Sequence, residues 1–356
     1  MTSTGAPVVQ PARGNRRAGT LGDGLTGRDN ALNFLRLVLA ASVIFWHSYP
    51  VLGVTPTTPI PSAIGAWAVN GFFAVSGYLI CGSRLRLGWR PFLWRRALRI
   101  FPAFWTVLLV TGFGFAPLAA WLLGNAYDPR DGFSYVLENA ALWMGQFNVG
   151  DTLAGTPHPH SWNGSLWTLF FEFGAYVAAM LLLGVALVRR HQTVVLAVVL
   201  MLLTAAFLAG LGVGWAPPLD LLAQGTRLGT FFVAGMLVYT VRDQIRPSWP
   251  LALGAVATTL VAAIIPGLAP LGAVPMALAL LTLGVLLPTR IGSTNDISYG
   301  VYIYGFPAQQ LIVAATGPAW PVWLHSLAAL AIACCLAWVS WKAVEQPALR
   351  LKNLVR

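Results

Sequence analysis

Ten apolar segments of helical length recur along the chain and are separated by shorter polar connections. A membrane-spanning helix needs roughly 20 mainly apolar residues, so each segment predicts one span. The predicted spans cover residues 31–52, 64–82, 101–124, 165–188, 193–213, 224–241, 250–266, 271–288, 297–316 and 321–344. The pattern predicts an all-α polytopic membrane protein with about ten transmembrane helices and both termini on one side.

Lysine and arginine are concentrated in every second connection. The basic connections and the C-terminal tail contain Arg84, Arg86, Arg90, Arg95, Arg96, Arg99, Arg189, Arg190, Arg242, Arg246, Arg290, Lys342, Arg350, Lys352 and Arg356. The intervening connections hold almost none, and the longest, 125–164, has four acids against the single Arg130. Because basic loops stay in the cytoplasm, we expect both termini to be cytoplasmic and the protein to be a multi-pass protein of the inner (cytoplasmic) cell membrane.

The overall composition agrees with a membrane protein. Hydrophobic residues make up 57% of the chain and charged residues 9%, whereas soluble domains carry about 25% charged residues. A net charge of +11 in a soluble protein would suggest nucleic acid. Here the charges lie between apolar runs, so the expected partner is the anionic surface of the lipid bilayer, and no nucleic acid is expected.

The chain divides into two tails and one membrane domain. Residues 1–30 are polar and rich in Gly and Pro, without the apolar core of a secretory signal, which predicts a disordered cytoplasmic tail. Residues 31–345 form the ten-helix domain, and 346–356 form a cytoplasmic C-terminal tail. The outer loop 125–164 is the one sizeable segment outside the membrane, and a short helix is predicted at 132–144, along the interface.

Arg36 and His47 lie on the first predicted helix, eleven residues apart. Eleven residues are almost three turns, so the two side chains share a face and lie roughly 16 Å apart along the axis. Ionisable groups in hydrocarbon usually face a protein interior or a wet cavity. His47 could act as a general base toward a hydroxyl or be a hydrogen-bonded core histidine. Arg36 could bind a phosphate or extend to the headgroups.

Further charged residues stand near the third and fourth predicted helices. Arg96 and Arg99, with Arg95 beside them, share a helical face in WRRALRIFP, either as a positive-inside anchor or as a cradle for an anionic cofactor. Glu172 in SLWTLFFEFGAY has a predicted depth that overlaps that of His47. A carboxylate there could orient the imidazole, and the alternative is a structural ion pair with an arginine.

Aromatic and histidine residues surround the outer loop. Trp143, Trp162 and Trp167 could stack on a sugar ring, although tryptophans at helix ends normally form interfacial belts. His158 and His160 are spaced like a pair of metal ligands but have no third ligand, so we expect no metal site.

Several short motifs occur together in one order. FLRLVLAASVIFWH is similar to an Arg-x10-His segment, NGFFAVSGYLI to an FF-x-x-SG stretch and RRALRIFPAFW to an R-x-x-R-I-x-P element. SLWTLFFEFGAY is similar to W-[ST]-L-x-x-E-x-x-x-Y, and ISYGVYIYGFP and VEQPALR are similar to SY-x-x-Y-x-x-x-x-P and E-x-P-x-x-R. On these motifs the chain resembles, from about Asn33 to Arg350, the membrane-bound acyltransferase family 3, which contains O-antigen and other cell-envelope O-acetyltransferases.

The resemblance implies roles for particular residues. Arg36 and His47 would be the catalytic pair, and Arg96 and Arg99 would lie near a cytoplasmic donor entrance. The residues that would line or shape the core are Ser76, Gly77, Trp167, Glu172 and Tyr176. Many members of the family have a histidine where this chain has Gly305, so any role of that histidine is absent here.

We therefore expect an integral membrane O-acyltransferase that moves an acyl group, expected to be acetyl, from acyl-CoA to a hydroxyl of a cell-envelope or exported carbohydrate or glycoside. His47 would be the general base, Arg36, Arg95, Arg96 and Arg99 would bind the donor, and no cofactor would be tightly bound. The sequence leaves the acceptor and the oligomeric state open. The alternative is a proton-coupled transporter that uses the same buried His, Arg and Glu as a relay.

Overall fold

The fold is a bundle of helices, described by a computed structural model for residues 19–27, 29–211, 219–265 and 267–355. No strand occurs in these ranges. The first helices are α1 (Leu21–Gly24), α2 (Leu32–Val51), α3 (Ile60–Arg86), α4 (Trp89–Val110), α5 (Ala116–Leu123), α6 (Pro129–Asn139), α7 (Trp167–Leu182) and α8 (Ala186–Arg190). They are followed by α9 (Gln192–Ala206), α10 (Leu219–Val241), α11 (Trp249–Ile264), α12 (Ala273–Leu286), α13 (Ser298–Thr316), α14 (Val322–Ser340) and α15 (Gln346–Arg350).

Seven helical stretches in the described ranges are long and apolar enough to cross a membrane. They cover Leu32–Val51, Ile60–Arg86, Trp89–Leu123, Gln192–Gly210, Leu221–Val241, Ala269–Leu286 and Val322–Asn353. Helices also occupy the other three predicted spans: α7 and α11 are apolar but shorter, and α13 is buried over almost its whole length. The prediction of an all-α polytopic protein is confirmed, whereas the count of ten and the side of the termini stay predictions.

α3 and α10 pack more closely than side chains would normally allow. A Cβ at Gly77 would lie 1.9 Å from the carbonyl oxygen of Phe232, and a Cβ at Gly235 would lie 1.9 Å from that of Ala74. Small residues let helix backbones touch in a membrane, where the contact is stabilised by van der Waals packing. This crossing fixes the part of α3 that carries Ser76.

Residues 19–27 do not form the disordered tail that the sequence predicted. Thr20 caps α1, and Leu21 is fully buried while its N–H donates to the carbonyl of Ile245 at 2.8 Å. The burial of this leucine offsets the entropy cost of ordering the segment. The disorder predicted for residues 1–18 lies outside the described residues.

The end of the chain is also helical and packs on α4. After α14 a π-helical turn, Trp341–Glu345, leads into α15 and a 3₁₀ turn, Leu351–Asn353. The indole N–H of Trp94 on α4 donates to the carbonyl of Leu351 at 2.9 Å. This contact brings the basic residues of the tail beside those of α4.

The segment 125–164 folds over one end of the bundle. Its helix α6 begins and ends earlier than the predicted 132–144. It begins earlier because the side chain of Asp128 caps it by accepting from the N–H of Arg130 at 2.9 Å. Farther along, the side-chain amide of Asn163 donates to the carbonyl of Ile303 on α13 at 2.7 Å. The segment is therefore a packed cover and not a free loop.

Candidate active site

A basic cavity opens at the end of the bundle where α2 begins, α3 ends and α4 begins, which we call the basic face. The cavity, the vestibule, has a volume of about 500 Å³. Its charged lining residues are Arg36, Arg86, Arg95, Arg96, Arg99, Asp296 and Lys352. Five arginines and a lysine against one carboxylate give the vestibule a strong preference for anions.

A smaller cavity, the chamber, continues from the vestibule into the bundle. Its volume is about 80 Å³. Arg36, Arg96 and Arg99 line both cavities, so the guanidinium groups stand where the two meet. The other polar residues that line the chamber are Ser76, Thr168, Glu172, Tyr176, Tyr299 and Tyr302. A ligand entering from the basic face would pass the arginines before it reached these groups.

Two of the arginines are held by a carboxylate that the sequence analysis missed. Asp296 Oδ2 lies 2.7 Å from Arg36 Nη1 and 2.6 Å from Arg99 Nη2. Arg99 also pairs with the buried Glu345 at 3.2 Å. Burial alone would raise the pKa of the Asp296 carboxyl, but the two guanidinium groups and bonds from Ser298 outweigh it and hold the pKa below its usual value. In the sequence, Asp296 lies just before the SY motif, and this position is the feature that could have indicated its role.

Arg96 differs from Arg36 and Arg99 in its contacts. It has no hydrogen-bond or ion-pair partner within the described part of the chain, and its Nε atom is buried. Glu172 lines the same chamber, but its Oε1 atom is bonded to Ser76 and Tyr176. Its guanidinium is therefore the one, among the three that line both cavities, that a bound anion or carbonyl oxygen can reach without displacing a carboxylate.

Glu172 does not lie beside His47 as the sequence predicted. Its Oε1 atom accepts a hydrogen bond from Ser76 Oγ at 3.1 Å and another from the hydroxyl of Tyr176. The reason is the direction of the side chain, since Glu172 and Tyr176 are one turn apart on the face of α7 that meets α3. The structure thus brings Glu172, Ser76, Tyr176 and Arg96 together in the chamber.

His47 is not among the described residues that line the chamber. Its ring lies edge-on to Phe306 at 5.0 Å between centroids, and His158 lies on the same phenyl ring at 5.8 Å. The chamber ends one turn earlier on α13, where Tyr302 contacts Phe72 at 5.5 Å. The ring of His47 is thus partly exposed and packs on Phe306, outside the lining of the chamber.

A buried histidine that the sequence analysis missed lies next to this region. His325 on α14 is fully buried, with Nδ1 3.0 Å from Ser48 Oγ and Nε2 3.2 Å from the carbonyl oxygen of Gln309. The amide of Gln309 in turn donates to the carbonyl of Ile44 at 2.7 Å. This network fixes the turn of α2 that carries His47 against α13 and α14. A lone histidine within an apolar helix was the signal for it.

The three tryptophans that were expected to stack on a sugar ring lie in different surroundings. Trp162 was predicted to bind substrate, but it is fully buried and its indole N–H donates to Thr152 Oγ1 at 2.9 Å, so it supports the 125–164 cover. Trp167 is partly buried and packs edge-on against Phe171, outside the chamber lining. Trp143 is 51% exposed, so of the three it is the one that presents most of its ring at the surface.

Two remaining positions have simple structural explanations. At Gly305 a Cβ would lie 2.6 Å from Ile44 Cγ1, so a histidine does not fit there unless the side chain of Ile44 moves. His158 is half-buried, and burial together with the neighbouring His160 lowers its pKa. Among the described residues no group of three His, Cys, Asp or Glu side chains could hold a metal ion.

An all-helical bundle with arginines and carboxylates around an internal cavity defines a membrane protein with a buried polar site. Residues 29–342 match the model of the family described as "Acyltransferase domain" (Acyl_transf_3), and the chain belongs to this family. It is therefore an acyltransferase with a membrane-embedded helical domain. Membership of this family disfavours the transporter alternative.

Two curated relatives match over most of the chain. The chain is 28% identical over 303 residues to an O-acetyl transferase of Shigella phage Sf6, covering 80% of this chain and 86% of that protein. It is 26% identical over 360 residues to Nodulation protein 10 of Rhizobium leguminosarum bv. viciae, covering 92% and 95%. No solved structure matches significantly.

Proposed function

We propose that the protein transfers an acetyl group from acetyl-CoA to a hydroxyl of a cell-envelope or exported carbohydrate or glycoside. The observation that carries the proposal is the passage from a basic vestibule of about 500 Å³ to a chamber of about 80 Å³. Acetyl-CoA carries several phosphates at one end and a thioester at the other. The phosphates suit the wide basic vestibule, and the thioester end suits the narrow chamber. The phage relative's name, O-acetyl transferase, supports acetyl transfer to oxygen.

In this proposal the donor lies along the vestibule with its phosphates on the exposed cations. Arg86, Arg95 and Lys352 line the outer part of the vestibule, where phosphates can be paired without deep burial. Arg96, which has no protein partner among the described residues, binds a carbonyl oxygen of the pantetheine arm at the mouth of the chamber, so that the thioester lies deeper, toward His47.

His47 acts as the general base. It takes the proton of the acceptor hydroxyl, whose oxygen attacks the thioester carbon; a C–O bond forms, the C–S bond breaks, and the imidazolium returns the proton to the CoA thiolate. Because His47 is not among the residues that line the chamber, the contact of Phe72 with Tyr302 at its wall opens in this proposal when both substrates are bound. The acceptor arrives from the end covered by the 125–164 segment, opposite the basic face.

The basic face is on the cytoplasmic side in this proposal. Anionic lipid and cytoplasmic acyl-CoA both favour that orientation, in accord with the distribution of basic loops. The acceptor then receives its acyl group without any passage of CoA across the inner membrane.

Replacing His47 by Ala tests the proposed base. General-base catalysis contributes about 10²–10⁴-fold, so we expect CoA release and product formation by purified protein in nanodiscs to fall by about this factor. Binding of CoA should persist, because the vestibule is untouched. The control is His191→Ala, since His191 is exposed and far along the chain from the site.

Undiminished turnover of His47→Ala would rule out His47 as the general base, but it would leave open whether acetyl-CoA is the donor. Wild-type protein that neither binds CoA nor consumes acetyl-CoA with any hydroxyl acceptor would contradict the donor assignment itself.

A further inference from the structure

A third cavity lies on the other side of α7 from the polar groups of the chamber. This apolar groove has a volume of about 510 Å³ and runs between α7, α9 and α10. It is lined almost wholly by aliphatic and aromatic side chains and by glycines, including Phe171, Leu203, Gly225, Gly229 and Met236. None of these five residues lines the chamber.

Phe73 is the side chain that the two cavities share. It lines the chamber beside Ser76 and Glu172, and it also lines the apolar groove beside Phe232 and Met236. It is only 3% exposed, so its ring is packed in the wall between them. Removal of this ring would join the small chamber to a space about six times larger.

We propose that Phe73 determines the length of the acyl group that the enzyme accepts. The proposal rests on the proposed function, in which the acyl end of the donor enters the chamber. At the inner end of the chamber Val69, Phe72, Phe73 and Leu169 form an apolar wall. A two-carbon acyl group fits in about 80 Å³ beside the thioester, whereas a chain of eight carbons has to pass the position of Phe73.

The groove has open space for such a chain once the wall is removed. A Cβ at Gly174 would meet nothing within 4 Å, and a Cβ at Gly229 would meet Leu203 only at 3.6 Å. These glycines border empty volume, unlike Gly77 and Gly235, which are required by a close helix crossing. A larger residue at Gly229 would therefore fill the groove without a backbone clash.

The test compares acetyl-, butyryl- and octanoyl-CoA as donors for purified protein in nanodiscs. Wild type should prefer acetyl-CoA to octanoyl-CoA, and Phe73→Ala should shift the ratio of kcat/KM values toward octanoyl-CoA by at least about tenfold, since one methylene in an apolar pocket already changes discrimination by about this factor. The control is Phe231→Ala: Phe231 is equally buried on α10 but lines neither cavity, so its loss should leave the donor ratio unchanged.

A second variant shows whether the groove receives the chain. Adding Gly229→Leu to Phe73→Ala should fill the groove and restore the preference for acetyl-CoA, while Gly229→Leu alone should leave acetyl transfer intact. If the double variant kept its octanoyl activity, the chain would not lie in the groove and the proposal would be wrong.

Phe73→Leu provides the same test with less loss of buried volume, should the alanine variant unfold. It should extend activity to butyryl-CoA. Wild-type protein that used octanoyl-CoA as well as acetyl-CoA would overturn the proposal without any variant. A wild type inactive with every acyl-CoA would instead contradict the proposed function.

Discussion

At the scale of single residues, three arginines that look alike in the sequence have different surroundings. Arg36 and Arg99 share the carboxylate of Asp296, and Arg99 also reaches Glu345, whereas Arg96 has no such partner among the described residues. Two of the three therefore tie helices together, and one remains for a ligand. Helical spacing alone gives the same prediction for Arg96 and Arg99, because it determines the face on which a side chain lies but not the residues that it contacts.

Replacing Asp296 by Asn should lower the free energy of unfolding at pH 7 by about 1–3 kcal/mol, because Arg36 loses its charged partner and Arg99 keeps only Glu345. The folded-state pKa of Asp296 is lowered, so its stabilisation is present above the unfolded pKa and is lost as the pH falls. The gap in unfolding temperature between wild type and variant should therefore narrow below about pH 4.

Thermal unfolding in detergent at pH 7 and at pH 3.5 measures this gap. Asp243→Asn is the matched control, because Asp243 pairs with Arg242 but is 65% exposed, and an exposed pair contributes little. An Asp296→Asn variant with the same gap at both pH values would contradict the assignment.

At the scale of helices, the crossing of α3 and α10 depends on two glycines. Gly77→Ala places a methyl group 1.9 Å from the carbonyl oxygen of Phe232, so one helix has to move. We expect a loss of about 1–3 kcal/mol in the free energy of unfolding and a larger loss of activity, since Ser76 lies beside the crossing.

The matched variant is Gly254→Ala on α11, where a Cβ meets nothing within 4 Å. It should be neutral or stabilise the protein by up to about 1 kcal/mol, because alanine is the better helix former. Thermal unfolding of the two variants in the same detergent measures the difference. Equal unfolding temperatures of the two variants would show that the close crossing of α3 and α10 does not contribute to the stability of the protein.

The positions of the helices were predictable and many of their contacts were not. Apolar runs of the length of a membrane span mark each long helix, because the bilayer imposes that length. The ordering of residues 19–27, the burial of Trp162 and the partners of Glu172 depend on contacts between segments far apart in the chain. His325 contacts Ser48 across 277 positions, and no local pattern connects them.

The candidate site was predicted in part. The motifs identified Arg36, Arg96, Arg99, Ser76, Glu172 and Tyr176, and these residues do line one chamber. Asp296 was missed because its role depends on two arginines from other helices. The expected contact of Glu172 with His47 is not observed, because the carboxylate of Glu172 points toward Ser76 and Tyr176 while the ring of His47 packs on Phe306.

At the scale of the whole molecule, the two ends of the bundle differ in chemistry. One end carries the basic vestibule, and the other carries the 125–164 cover over the face of α13 near His47. Between them lie the chamber and the contact of Phe72 with Tyr302. In our proposal each substrate approaches from its own end, and neither has to cross the bilayer.

Sided transfer in membrane vesicles tests this account most directly. Vesicles from cells that produce the protein are prepared inverted or right-side-out, and labelled acetyl-CoA is added to the outside. His47→Ala vesicles give the background. The account predicts labelled O-acetyl product in inverted vesicles, where the basic face is exposed, and none in sealed right-side-out vesicles until they are permeabilised. Equal labelling of sealed right-side-out vesicles would contradict it.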